Sequence, residues 1–134
     1  MNREELQEYI VDLRREFHMH PELSGQEEWT SARICEELSA AGVPYEIYGH
    51  RNVIGRIENG EGRRIAFRAD FDALPVEELV DVPWKSRNPE CMHACGHDAH
   101  AACLLGTARL LMENKDRWKG TVYLYFQHGE EAGK

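Results

Sequence analysis

Residues 96 to 114 carry apolar residues at helical spacing, and after a short connection "TVYLYFQ" (121 to 127) runs as an unbroken apolar, β-rich segment. Ala99, Cys103, Leu104, Leu110 and Leu111 form the helix's expected packed stripe. A helix that feeds directly into such a strand fits a crossover onto a sheet, and a strand apolar throughout suits a buried position. This pair narrows the fold more than any other feature of the chain.

The upstream segments agree with it. Residues 3 to 17 read as a helix, with Leu6, Ile10, Leu13 and Phe17 on one face, and Pro21 makes "HMHPELSG" a loop. Ser24 with Glu27 has capping-box spacing ahead of a second helix from about Gln26 to Ala41, where Trp29, Ala32, Ile34, Leu38 and Ala41 supply the apolar positions and Gly42 the stop. The period then changes. "NVIGRI" and "RRIAFRAD" flank the turn signal "ENGEG", which predicts a hairpin from about Val53 to Asp70 with Ile65, Phe67 and Ala69 facing one way. Residues 71 to 94 hold three of the five prolines and no sustained period, so they form a long loop of the kind that tends to be functional. Helices on both sides of the strands give an α/β layered domain, a mixed sheet flanked by helices.

The 134 residues amount to one domain. A net charge of −8 without any Lys/Arg cluster argues against nucleic acid or an anionic membrane as partner. No stretch approaches the roughly 18 apolar residues of a membrane helix, and the charged start "MNREELQEYI" has no signal core, so a cytoplasmic chain is expected. In a reducing compartment, a cysteine near histidine points to metal binding or catalysis more often than to a bridge.

Three clusters carry chemistry. "MHACGHDAH" (92 to 100) puts Cys95 and His97 at a loop–helix junction, and thiolate with imidazole suits zinc and its first-row neighbours. Glu130 and Glu131 follow the buried strand, at the strand end where α/β folds place chemistry. Adjacent glutamates diverge, so one can bind a metal while the other acts as general base. Asp70 and Asp72 lie two apart at the end of "RRIAFRAD" and point the same way. His93 and His100 also read as a plain loop histidine and a helix-cap histidine, and Cys91 and Cys103 as structural. A structural zinc knuckle from Cys91, His93, Cys95 and His97 is a further alternative, with spacing unlike common zinc fingers.

Taken together and in order, "LRREFHMHPELSGQEEWTS", "RIAFRADFDALPVEE", "MHACGHDAHAACLLGTARLL" and "GTVYLYFQHGEE" cover essentially the whole chain. It resembles the N-terminal part of the aminoacylase, hippurate hydrolase and N-acyl-amino-acid amidohydrolase family, co-catalytic metallopeptidases related to the amidohydrolases of auxin–amino acid conjugates. The resemblance implies that residues 1–134 are the N-terminal portion of a di-metal catalytic domain of zinc-exopeptidase-like fold, without the lid and dimerisation domain. It implies two divalent metal ions (zinc, manganese or cobalt), with Cys95, His97 and Glu131 as ligands. Glu130 would be the general base that deprotonates a metal-bridged water, and Asp72 a catalytic aspartate steadying the site from behind the ligands. Asp70 stands where peptidase relatives carry a ligand histidine and is left off the ligand set. The substrate class implied is a small N-acyl amino acid or peptide.

Family members carry further ligand histidines downstream of the glutamate pair, so the site is expected to be incomplete within this chain. The family's Phe-Gln-Pro-Ala-Glu-Glu also reads Phe-Gln-His-Gly-Glu-Glu here, which predicts a looser glutamate loop and a solvent-exposed His128. Ending after the strand at 121 to 127 predicts an unpaired edge there, and self-association across it. The alternative function is a non-catalytic metal- or subunit-binding module derived from the same family.

Overall fold

The first helix starts on a reciprocal cap. Asn2 accepts a hydrogen bond from the Glu5 amide while the Glu5 carboxylate accepts from the Asn2 amide. The computed structural model describes residues 1–132 and gives, in chain order, α1 (Arg3–Met19), α2 (Glu28–Ala40), β1 (Tyr45–Tyr48), β2 (Asn52–Asn59), β3 (Arg64–Asp70), α3 (His97–Glu113) and β4 (Gly120–Gln127). Single 3-10 turns follow α3 (Lys115–Arg117) and β4 (Glu130–Ala132). The α1 helix runs further than its apolar pattern suggests: His18, expected in the loop before Pro21, is in its last turn and is buried.

The α2 cap also differs from expectation. Ser24 makes no cap bond. Its hydroxyl donates to Asp72 instead, and Glu22 accepts from the Trp29 and Thr30 amides and from the Thr30 hydroxyl. A carboxylate reaching back to the first turn does the same work as a capping serine and carries the charge that the helix dipole favours there.

The four strands form one mixed sheet in the order β1-β2-β4-β3. β1 pairs with β2 and β2 with β4, both antiparallel, while β3 and β4 run parallel, joined through α3. The expected hairpin between Val53 and Asp70 therefore does not form. β2 and β3 flank β4, and the 60–63 connection crosses the start of that strand. The crossing is tight enough to require glycine on both sides. A Cβ on Gly62 would come within 2.8 Å of the Lys119 carbonyl oxygen, and one on Gly120 within 2.3 Å of the Arg63 carbonyl oxygen. "ENGEG" marks a chain crossing rather than a hairpin turn.

All three helices pack on one sheet face. Val53 and Ile57 of β2 and Val122, Leu124 and Phe126 of β4 meet Leu13 and Phe17 of α1, Ile34 and Leu38 of α2, and Ala101, Leu105 and Ala108 of α3. The packed side of α3 is made of small residues and leucines; Cys103 and Leu110, expected on its stripe, are exposed, and so is Ala32 of α2. β4 is interior. Among the described residues the sheet edges are β1 and β3, so 121 to 127 is not the edge expected there; on β3, Ile65 and Phe67 remain 49% and 43% exposed. No helix among the described residues is long and apolar enough to cross a membrane.

Candidate metal centre

Parallel pairing decides where the chemistry gathers. Because β3 and β4 run the same way with Asp70 opposite Gln127, their C-terminal ends lie side by side, and α3 begins at that same end. Asp70 and Asp72 leave β3, Glu130 and Glu131 leave β4, and Cys95 and His97 enter α3. Ligands far apart in the chain become neighbours at the carboxyl end of the sheet, where open α/β sheets hold their sites.

His97 is at the centre and is 2% exposed. Its Nδ1 lies 2.9 Å from both Asp72 Oδ1 and the Asp72 carbonyl oxygen. Both partners are acceptors, so Nδ1 carries a proton and the ring is held with its other nitrogen turned outward. Nε2 faces Glu131 Oε1 at 3.4 Å and Asp70 Oδ2 at 3.3 Å. The Cys95 sulfur, a His97 nitrogen and a Glu131 oxygen all lie within 4.8 Å of one another. Asp72 ties the set together: besides His97, its Oδ2 accepts from the Ser24 hydroxyl at 2.6 Å and the Glu131 amide at 2.8 Å. Burial alone would raise the Asp72 carboxyl, but these donors and the His97 ring hold it below the usual carboxylate value.

The donor set fits a divalent cation. Glu131 beside Cys95, with lesser contributions from Glu130 and Asp70, pushes the cysteine thiol above its ordinary range. Concentrated negative charge disfavours a further thiolate, and a metal ion is the group that reverses this balance. Thiolate, imidazole and carboxylate, with the imidazole oriented by a carboxylate behind it, match the chemistry of a zinc-type centre.

A second set, Asp70, His97 and His100, shares His97, whose Nε2 lies 3.3 Å from Asp70 Oδ2. His100 is no mere helix cap: its Nδ1 donates to Asp70 Oδ1 at 2.7 Å. Arg68 also bonds Asp70, at 3.1 Å, and offsets its charge. One lone pair cannot serve two ions, and the guanidinium makes Asp70 the poorer ligand. The zinc knuckle does not assemble: among the described residues, neither three-ligand group includes Cys91 or His93, and Cys91 is 1% exposed in the interior.

Several buried polar groups were invisible to pattern reading. His18 sits between Asp98 and Glu78, and Arg14 also reaches Asp98. His93, expected as a plain loop histidine, is buried with neither ring nitrogen bonded to a partner among the described residues, and burial pushes its pKa down to about 4. His128 is 7% exposed, not solvated as expected, and its backbone amide donates to Asn52. Glu27, read as half of a capping box, is wholly buried beneath the glutamate turn. Motif spacing carries no information about such partners, which come from elements far away in the chain.

Comparison with known proteins gives a consistent picture. The family model described as Peptidase family M20/M25/M40 matches residues 66–134. The thermostable carboxypeptidase 2 of Saccharolobus solfataricus is 46% identical over 132 residues, covering 96% of this chain and 34% of that protein. The N-acetyl-L-cysteine deacetylase of Bacillus subtilis is 43% identical over 135 residues, covering 99% of this chain and 32% of the deacetylase. Among solved structures, the YXEP protein of Bacillus subtilis, described as a dinuclear metal binding peptidase, superposes with a TM-score of 0.90 at 39% identity, covering 96% of this chain and 37% of its own. The chain thus spans about a third of the length of the curated relatives it matches.

Proposed function

The chain belongs to peptidase family M20/M25/M40, and from that premise we propose that residues 1–134 form the N-terminal portion of the catalytic domain of a metal-dependent hydrolase. Its reaction is cleavage of the amide bond of N-acyl amino acids or small peptides. The observation that carries the reading is His97, its Nδ1 bound to Asp72 and its Nε2 turned toward Glu131, with Cys95 in reach of both. The relatives named for deacetylating N-acetyl-L-cysteine and for carboxypeptidase activity support the substrate class.

In this proposal Cys95, His97 and Glu131 hold a divalent cation, and the thiolate and imidazole favour zinc, with manganese and cobalt as alternatives. Bound divalent metal supplies Lewis acidity and lowers the pKa of water. Glu130 takes a proton from the attacking water at its carboxylate, the water oxygen bonds to the amide carbon, and Glu130 returns the proton to the nitrogen as the C–N bond breaks. Asp72 keeps His97 in the Nδ1–H tautomer and, through the Glu131 amide, keeps that glutamate beside it. The four free cysteines suit a reducing, cytoplasmic setting. Self-association of the chain is part of the proposal.

Metal titration tests it. Saturation with zinc or cobalt followed by desalting is expected to leave bound metal, and the cobalt form should show thiolate-to-cobalt absorption. Cys95→Ser should abolish that absorption, and Glu131→Gln should weaken binding by more than the roughly 10–100-fold typical of an outer partner. Cys91→Ser should change neither. Glu130→Gln should retain metal and remove hydrolysis, which separates the hydrolase from a non-catalytic binding module. Unchanged metal affinity in Cys95→Ser and Glu131→Gln would overturn the reading.

A further inference from the structure

The turn carrying Glu130 and Glu131 has little packing of its own. Glu130 is half-buried, Glu131 exposed, and Gly129 adopts φ +63, a left-handed conformation that side chains resist. Yet three of its backbone amides are each taken by a side-chain oxygen from a different element. The Asn52 side-chain oxygen at the start of β2 accepts from the His128 amide at 2.9 Å. Glu27, immediately before α2, accepts from the Gly129 amide at 2.5 Å. Asp72, just after β3, accepts from the Glu131 amide at 2.8 Å. The histidine at 128, standing where the resembled pattern has proline, is what supplies an N–H for Asn52 to bind.

Glu27 is the unexpected member. It is 0% exposed, one carboxylate oxygen holds Gly129, and the other has no partner among the described residues. A buried carboxylate left half-satisfied is a poor way to stabilise a fold, since an apolar side chain would avoid the desolvation cost. What the carboxylate offers that an apolar residue lacks is an acceptor for the amide directly preceding the catalytic pair.

We propose that Glu27 is a positioning residue for the metal centre: through the Gly129 amide it fixes the glutamate turn, and with it the distance of Glu131 from His97 and Cys95. The inference rests on the reading of Glu131 as a ligand. Loss of the Glu27 acceptor lets the turn move while Cys95 and His97, held by α3 and Asp72, stay in place. The fault is therefore specific to the glutamate arm of the site.

The test is a cycle of zinc and cobalt affinities for the 134-residue chain, with Glu27→Ala, Glu131→Gln and the double variant. Glu27→Ala should weaken binding on the order of 10–100-fold while keeping the thiolate-to-cobalt absorption. Glu27→Gln, whose amide oxygen still accepts from Gly129, should restore most of the affinity. In the Glu131→Gln background Glu27→Ala should cost nothing further, because the ligand it positions is already gone. Additive losses would mean general damage to the fold and would overturn the proposal, as would full affinity in Glu27→Ala. If Glu131→Gln alone has no effect, the metal reading itself falls. Amide exchange in the wild type provides a measurement free of variants and metal: Gly129 and Glu131 amides should be protected, and free exchange at Gly129 would overturn the clamp even if Glu27→Ala fails to fold.

Discussion

His18 lies between two carboxylates brought together from α3 and the long loop. Its Nδ1 is 2.8 Å from Asp98 and its Nε2 2.9 Å from Glu78, and the His93 ring centroid is 6.5 Å away. The hydrogen bond with Asp98 raises its pKa above the ordinary histidine value, burial opposes the rise, and Glu78 adds to it. Asp98 and Glu78 are correspondingly held low: burial alone would raise both, but donors including His18 outweigh it. A base that binds its proton more tightly when folded contributes stability fully below the unfolded-state pKa of about 6.5, and that contribution is lost as pH rises through the higher folded value. The urea midpoint should therefore fall as pH climbs above about 6.5. His18→Gln should start lower and flatten that slope. An unchanged slope in the variant would show that His18 does not carry the dependence. At this scale the sequence singles out Cys95 and His97 by residue type and spacing, and Glu131 and Asp72 through the resemblance; the structure brings all four to one end of the sheet. The burial of His18 and Glu27 was not legible, because their partners lie 60 to 102 positions away, as with His18 and Glu78 or Glu27 and Gly129.

Between helices, a close contact forms where α1 crosses α3. A Cβ on Gly106 would lie 2.5 Å from Ile10 Cδ1 and 2.6 Å from its Cγ1. Two effects compete when alanine is placed there. Helix propensity gains about 1 kcal/mol, while forcing a methyl into a filled contact costs about 1–3 kcal/mol. Ile10 is β-branched and within a helix, so it has few rotamers in which to retreat, and the clash is expected to win. Gly106→Ala should lower stability by about 1 kcal/mol net. Adding Ile10→Ala should cost less than it does alone, giving a favourable coupling in a double-mutant cycle. Simple additivity would mean the helices separate rather than clash. Since α3 delivers His97, this contact also sets how firmly that histidine is held. Element types were well marked by periodicity, whereas pairing was not. Alternation identifies β2 and β3 as strands but says nothing about whether they touch. The strand between them, β4, arrives only after α3, and its pairing is encoded in the close approach of Gly62 and Gly120 rather than in either strand's own pattern.

At the scale of the sheet, the four strands of the described residues, covered by helices on one face, leave β3 with one neighbour among them. Ile65 and Phe67 lie on the same face as buried Ala69, in register with Val122 and Leu124, yet remain largely exposed. α3 packs against β3, but burial on that strand is confined to its end, Ala69 and Asp70. An unpaired parallel edge with apolar side chains is an open template for association. Two surfaces compete: the β1 edge, where Ile47 and Tyr48 are 58% and 52% exposed, and the 71–94 loop, where Leu79 and Val80 are 83% and 56% exposed. The β3 edge offers seven residues of backbone against four in β1, and the loop offers apolar contact alone, so the β3 edge should dominate. Light scattering is expected to show association that grows with concentration. Lysine at both 65 and 67 should suppress it, through charge on the edge, while Leu79→Ser with Val80→Ser should leave most of it intact. Association that survives the lysines and vanishes with the serines would assign it to the loop. A monodisperse monomer at high concentration would mean that the exposed β3 edge is tolerated without a partner.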